Sequence, residues 1–183
     1  VPYCCDFENP AENLFWEFRN DVYNGWMIGN GTNHGGSNSL YMSAAGTYIV
    51  TYQPSIAYAL RQIHIPAGVY EVTYDWIIND DGYARQYARA FLIPTTTSIS
   101  GGSYIPGFSL VSLPSNAISL DADNALMDNP IWLNFRDPWV EVPVTGDYYI
   151  VFFWEHSITQ QPIAVDNICI TPISCASPRS LYK

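Results

Sequence analysis

The sequence predicts an all-β protein: a two-sheet antiparallel β-sandwich of jelly-roll type with about ten strands. Three observations predict it. Tyrosine, tryptophan and phenylalanine number 14, 6 and 8 among 183 residues, and aromatic side chains favour strands over helices. Gly, Pro, Asn and Ser recur at short intervals and leave little room for a long helix. Finally, the pattern G-x-Y-x-[VI]-x-[YF]-x-W occurs twice, beginning at Gly68 and again at Gly146.

Each copy of the pattern reads as a strand preceded by a proline-containing turn, at Pro66 and Pro143. Period two places Tyr70, Val72, Tyr74 and Trp76 on one face of the first, and Tyr148, Ile150, Phe152 and Trp154 on one face of the second. The opposite faces differ. The first carries Val69, Glu71, Thr73 and Asp75, whereas the second carries Asp147, Tyr149, Val151 and Phe153. Two sheets packed face to face account for the shared stripes, and the second strand needs a further cover, a loop or a neighbour, over its other side.

Further strands are expected at 39–42 and 47–52, flanking a turn at Ala45-Gly46, and at 57–65, 87–93, 108–113, 132–135, 139–142 and 164–171. One short helical turn is expected after Asn9. There Asn9 is the cap, Pro10 suits the first helical position, and Glu12 sits where a capping-box partner belongs. Residues 1–175 read as one domain, and 176–183 as a linker-like tail leading to a further domain of a longer polypeptide.

Charge narrows the function. Seventeen acidic residues against seven basic ones give a formal net charge of −10. That balance excludes a nucleic-acid backbone or an anionic membrane surface as partner, because both require a basic footprint. It suits neutral sugars, protein partners and calcium. The longest apolar run, 148–154, is a strand's length and far short of a membrane span. Cys4, Cys5, Cys169 and Cys175 lie at the two ends, without the C-x-x-C spacing of zinc or redox sites. One or two disulfides joining the terminal strands fit an exported protein. Of the three possible pairings, a vicinal Cys4–Cys5 bridge is the most strained.

Two end motifs carry a family resemblance. Cys5-Asp6-Phe7-Glu8 is followed by Gly25-Trp26, and Ile163-Ala164-Val165-Asp166-Asn167-Ile168 stands near the other end. In this order they resemble the MAM-type and cleaved-adhesin-type jelly-roll modules of large multidomain surface proteins of Gram-negative gut and oral bacteria. The resemblance implies a noncatalytic, secreted or cell-surface module, an adhesive or carbohydrate-associated role, neighbouring domains in the same polypeptide, and a structural calcium (Ca2+) near the termini. Carried over, it makes Glu8 and Asp166 the metal carboxylates, with loop oxygens from 33–38, Asn38 among them. Calcium takes six to eight hard oxygens from carboxylates, amides and carbonyls, so these residue types suit it.

Aromatic rings stack on the apolar C–H face of a pyranose, which makes loop and edge aromatics the candidate glycan contacts: Tyr83, Tyr87, Tyr104, Trp132 and Trp139. Trp76 and Trp154 belong to the repeated stripe and are expected in the core. Arg89 joins the ligand group, with an ion pair to Glu71 or Asp75 as its more ordinary role. The acidic stretches 79–82 and 121–124 read as turns. The second lacks the Gly and terminal Glu of an EF-hand loop. His34, in a glycine-rich loop, reads as incidental.

A glycosidase has weaker support. Glu71 and Asp75 share a face but are separated by roughly 13 Å of strand, against about 5 to 9.5 Å for paired catalytic carboxylates. A pairing of Glu141 with Glu155 depends on the fold. No nucleophile elbow, phosphate loop or dinucleotide fingerprint occurs. The sequence thus points to a noncatalytic module that binds a glycan or a host or surface protein. A structural spacer is the alternative, followed by a glycoside hydrolase.

Overall fold

A computed structural model describes residues 2–78, 86–109, 111–157 and 162–173. The elements are β1 (Tyr3–Cys5), α1 (Pro10–Asn13), β2 (Trp16–Arg19), β3 (Gly25–Gly29), β4 (Ser39–Ser43), β5 (Ser55–Ile65), β6 (Gly68–Ile78), β7 (Gln86–Pro94), β8 (Ile118–Ser119), β9 (Asn129–Val142), β10 (Gly146–His156) and β11 (Ile163–Pro172). They form the expected antiparallel sandwich. One sheet has the order β3-β4-β11-β6-β9, with β1 also paired to β11; the other runs β2-β5-β10-β7-β8.

The two copies of the repeated pattern are β6 and β10, each in the interior of its own sheet. Their stripes meet in the core: Tyr74 lies edge-on to Phe152 with ring centroids 5.5 Å apart, and Trp154 is fully buried. Small neighbours make room for these rings. Phe152 is flanked by Ala59 and Ala90, and Trp154 by Ala57 and Ala88. Alternating large and small side chains across a sheet face lets the opposing layer interdigitate without voids.

The other face of β10 is covered as its sequence requires. Val151 and Phe153 join Tyr58, Leu60, Phe91 and Ile93 in a second buried cluster, closed by Ile99, Ile105 and Phe108 from the connection 95–117. That connection contains the expected strand 108–113, whose described residues join neither sheet. Phe108 N–H donates to the Ile105 carbonyl, and Ser109 bridges to Ser112. Burying Phe108 over the sheet outweighs pairing it within one.

Other expectations are corrected. The segment 47–52 forms no strand, because the buried Asn24 side chain takes the Thr51 N–H at 2.7 Å in place of a ladder partner. The two strands expected at 132–135 and 139–142 are one, β9, whose register shifts opposite Glu71 where Pro138 lies; proline is tolerated at such a bulge on an edge strand. Asn9 caps α1 by accepting from Ala11 N–H at 3.0 Å. Glu12 makes no capping box. It accepts from Arg61 Nε at 2.7 Å and from the Tyr3 hydroxyl at 3.0 Å, tying the helix to β5 and β1.

Arg89 is the clearest reversal. Its side chain is 1% exposed and forms a forked pair with Asp121, Nε to Oδ2 at 2.6 Å and Nη2 to Oδ1 at 3.1 Å. Asp121 also accepts from Ala90 N–H and the Ser119 hydroxyl. It pairs with neither Glu71, which holds Arg136, nor Asp75. Its position beside Phe153, under the covering connection, makes it a structural cation rather than a surface contact. At the termini, Cys4 and Cys169 stand opposite each other on β1 and β11 and are bridged. Cys5 faces the core with no disulfide partner among the described residues; Cys175 and the tail lie outside them.

Two outcomes follow for stability. The bridge closes a loop of 165 residues, so Cys4→Ser should lower unfolding free energy by up to about 5 kcal/mol on the chain-entropy argument, seen as a lower urea midpoint. An unchanged midpoint would show that β1 is not held by the bridge. Arg89→Met should cost about 3–5 kcal/mol by leaving Asp121 buried and unpaired, and the double replacement Arg89→Met with Asp121→Leu should recover part of that loss. Equal urea midpoints for the single and double variants would contradict the pair's role.

Candidate functional site

The connection 95–117 reaches β10 as far as Glu155, and there polar and aromatic groups form a rim. Gly102 anchors the edge of the cover: its N–H donates to the Ile56 carbonyl at 2.8 Å, and its φ of +72° suits glycine. At Gly101 no larger residue fits, since a Cβ would lie 2.0 Å from the Asn20 carbonyl oxygen. The Tyr58 hydroxyl donates to the Ser103 carbonyl and accepts the Ile105 N–H, pinning the next residues.

Tyr104 is thereby held at the surface, 48% exposed, with its ring parallel to Phe108 at 6.2 Å. Its hydroxyl donates to Glu155 Oε1 at 2.6 Å. Burial first, and then the neighbouring carboxylate, push the Tyr104 phenol up to about 12. The second oxygen, Glu155 Oε2, is buried and has no donor among the described residues. Tyr87 stands across from Glu155 on β7, against Phe153 at 5.6 Å, and its phenol is raised by burial and by the same carboxylate. Beside these groups lies a hollow of about 220 Å³, walled by Asp21, Ser55, Ile56, Gly102, Glu155 and His156. An exposed ring next to an acceptor-only carboxylate is an arrangement that holds a polyol by its ring face and two of its hydroxyls.

The terminal motifs build something different: a clamp on the loop before β4. Glu8 Oε1 accepts the N–H groups of Ser37 and Asn38, each at 2.7 Å, while Oε2 accepts Asn38 Nδ2 at 3.3 Å. Asp166 accepts His34 N–H and Asn167 N–H, both at 2.8 Å. A bulge after Asp166, with Asn167 at φ +51°, aims the Asn167 amide at the His34 carbonyl and at Asp75. Asp75, directly across from Asp166, also takes Asn134 Nδ2 at 2.8 Å and His34 Nδ1 at 2.9 Å. His34 is therefore engaged rather than incidental, its ring stacked on Trp132 at 5.2 Å.

Electrostatically this clamp is under-compensated. Burial, and then the charges of Asp75 and Glu8, raise Asp166 to about 6. The carboxylates named for calcium are thus present and close, but each is turned onto N–H donors of the loop rather than toward a common point. Among the described residues no group of three His, Cys, Asp or Glu is arranged to hold a metal. The residues present carry the charge and the hard oxygens that calcium takes, and an ion between Glu8 and Asp166 would replace some of these loop contacts.

The remaining candidates scatter. Trp132 and Trp139 lie on β9, in the other sheet from Tyr87, seven positions apart and so separated by roughly 20 Å. One face of Trp132 is taken by His34, and Trp139 is 63% exposed. Tyr83 and the acidic stretch 79–82 lie outside the described residues. Glu141 sits near the Gly68 end of β9, whereas Glu155 is nine residues along β10 from Gly146, roughly 30 Å off; they form no catalytic pair. The role of Glu155 escaped the sequence reading although period two carries the Tyr149, Val151, Phe153 face straight to it.

No family profile matches the chain, and neither does any curated sequence. Solved structures do. The C-terminal family 22 carbohydrate-binding module of Clostridium thermocellum Xyn10B is similar with a TM-score of 0.57 at 15% identity, over 93% of this chain and 92% of that one. The K3 cleaved adhesin domain of Lys-gingipain from Porphyromonas gingivalis W83 gives 0.55 at 16%, over 92% and 97%. Part of the enzymatically active domain of bacteriophage CBA120 tailspike protein 4 gives 0.55 at 13%, over 92% of this chain and 20% of that one. At such identities the likeness is one of fold, and it is the likeness that the D-F-E and V-D-N motifs suggested: this chain is a jelly-roll β-sandwich of the kind found in cleaved adhesin domains and carbohydrate-binding modules.

Proposed function

We propose that this chain is a noncatalytic glycan-binding module of an exported, surface-associated protein, and that a sugar ring seats at Tyr104, Tyr87 and Glu155. The observation that carries the reading is the exposed Tyr104 ring held by its hydroxyl against Glu155, with Tyr87 beside the same carboxylate. Tyr104 supplies the stacking plate, and Glu155 accepts sugar hydroxyls. The adjoining hollow has room for a single ring. Fold-level likeness to a carbohydrate-binding module and to an adhesin domain supports this reading. A bare spacer has no use for an exposed aromatic held against a carboxylate.

Calcium belongs to the proposal as a stabiliser of the Glu8–Asp166 clamp, supported by the raised Asp166 carboxyl. Its sign is defined. Asp166 binds its proton more tightly folded than unfolded, so its ionisation removes stability as pH rises from its ordinary range through about 6. A cation bound there in place of that proton would restore it.

Glycan-array screening followed by calorimetry tests the binding. One class of neutral glycan should bind, and Tyr104→Ala and Glu155→Gln should each weaken it tenfold or more, about 1.4 kcal/mol, with unchanged melting temperatures. Release of reducing sugar abolished by Glu155→Gln would contradict the noncatalytic reading. For calcium, excess ion should raise the melting temperature near pH 7.5 and do so less near pH 5, where Asp166 is protonated. No shift at the higher pH would remove calcium from the proposal.

A further inference from the structure

β2 and β3 are edge strands of the two sheets and come close beside Asn20. Where they are close, Asn20 bridges them. Its Oδ1 accepts the Trp26 N–H at 2.8 Å and its Nδ2 donates to the Trp26 carbonyl at 3.1 Å. One side chain thus imitates the paired donor and acceptor of a neighbouring strand. Because both groups of Trp26 are spent on Asn20, they point away from β4, to the free edge. Strand alternation then turns the N–H and carbonyl of Ile28 to that same edge, and no side chain caps them among the described residues.

Beside Ile28 lies a notch of about 410 Å³. Its floor is apolar, with Leu14, Phe18, Met27 and Ile28, and Leu14 is 85% exposed. Three polar residues, Asn13, Glu8 and Asn38, stand in its wall. Asn13 donates its Nδ2 to the Phe7 carbonyl, which leaves a buried Oδ1 with no donor among the described residues. Glu8 contributes a carboxylate, and no cation lines the notch.

We infer that this notch receives an extended peptide strand, apolar at the residue seated against Leu14 and Met27 and basic beside it, which lengthens the sheet at β3. The unspent N–H and carbonyl of Ile28 offer one rung of a strand ladder, which a peptide matches and a sugar does not. Asn13 Oδ1 takes an N–H from the same peptide. The acidic wall, in a chain of net charge −10, selects a basic partner and disfavours a second copy of this chain. The site is separate from the Tyr104 rim and stands whether or not a glycan binds there.

The test uses the acetylated, amidated heptapeptide Lys-Val-Lys-Leu-Lys-Val-Lys and a twin N-methylated at alternate residues. The twin keeps charge and side chains but loses the ladder donors. Fluorescence polarisation should show the parent binding at least tenfold more tightly than the twin, and Leu14→Ser should weaken the parent about fivefold without changing the melting curve. Amide exchange should slow at Ile28 on binding. Equal affinity for both peptides would reduce the effect to charge and overturn the inference. So would Leu14→Ser binding as well as the parent protein, exchange slowed elsewhere instead, or protection of Ile28 by a glycan rather than by the peptide.

Discussion

A strand that is apolar on both faces has to be covered twice, and β10 is such a strand. Inward, Phe152 and Trp154 fill the sandwich between pairs of alanines. Outward, Val151 and Phe153 form a second apolar face. Leaving that side open would expose several large side chains together, at a cost of about 1.5–3 kcal/mol for each one not buried. The connection 95–117 is consequently committed to lie over the second sheet, and the buried pair of Arg89 and Asp121 closes the same layer from the β8 side. The candidate site is a by-product of that constraint. It lies where the cover stops, at the last outward residue of β10, Glu155.

The other sheet solves the opposite problem. Its β6 strand turns Glu71, Thr73 and Asp75 outward, and the acids there are used to fasten chain rather than to meet solvent alone. Asp75, Asp166 and Glu8 together hold the loop before β4 through backbone N–H groups, an amide and the His34 ring. The motifs that suggested the fold family are therefore parts of one clamp, contributed by the first and last strands and drawn together by the Cys4–Cys169 bridge beside it. Such a concentration of negative charge on a loop is stable only with donors aimed at it, and nearly every oxygen named has one.

How far the sequence carried depended on the range of the interaction. The repeated stripe of β6 and β10 was legible because period two is local, and so was the need for a second cover over Tyr149, Val151 and Phe153. The Asn9 cap was legible for the same reason. Longer-range choices were not. Whether 47–52 forms a strand depends on Asn24 reaching Thr51, whether 108–113 does depends on Phe108 finding Phe153, and Arg89 was read as a surface group because Asp121 lies 32 residues away. At the candidate site Tyr87 and Tyr104 could be named as aromatics. That they converge on Glu155 is a product of cross-strand register and of a glycine-anchored loop, neither of which a single strand's pattern contains.

The central claim is that ligand binding occurs at the rim where the connection 95–117 meets Glu155. It is tested most directly by titrating isotope-labelled protein with the best-bound oligosaccharide and following backbone amide shifts residue by residue. The largest changes should fall on Gly102, Tyr104, Tyr87 and Glu155, with the face of β6 and β9 silent. Changes centred on Trp132 and Trp139 instead, or spread evenly over both sheets, would contradict it.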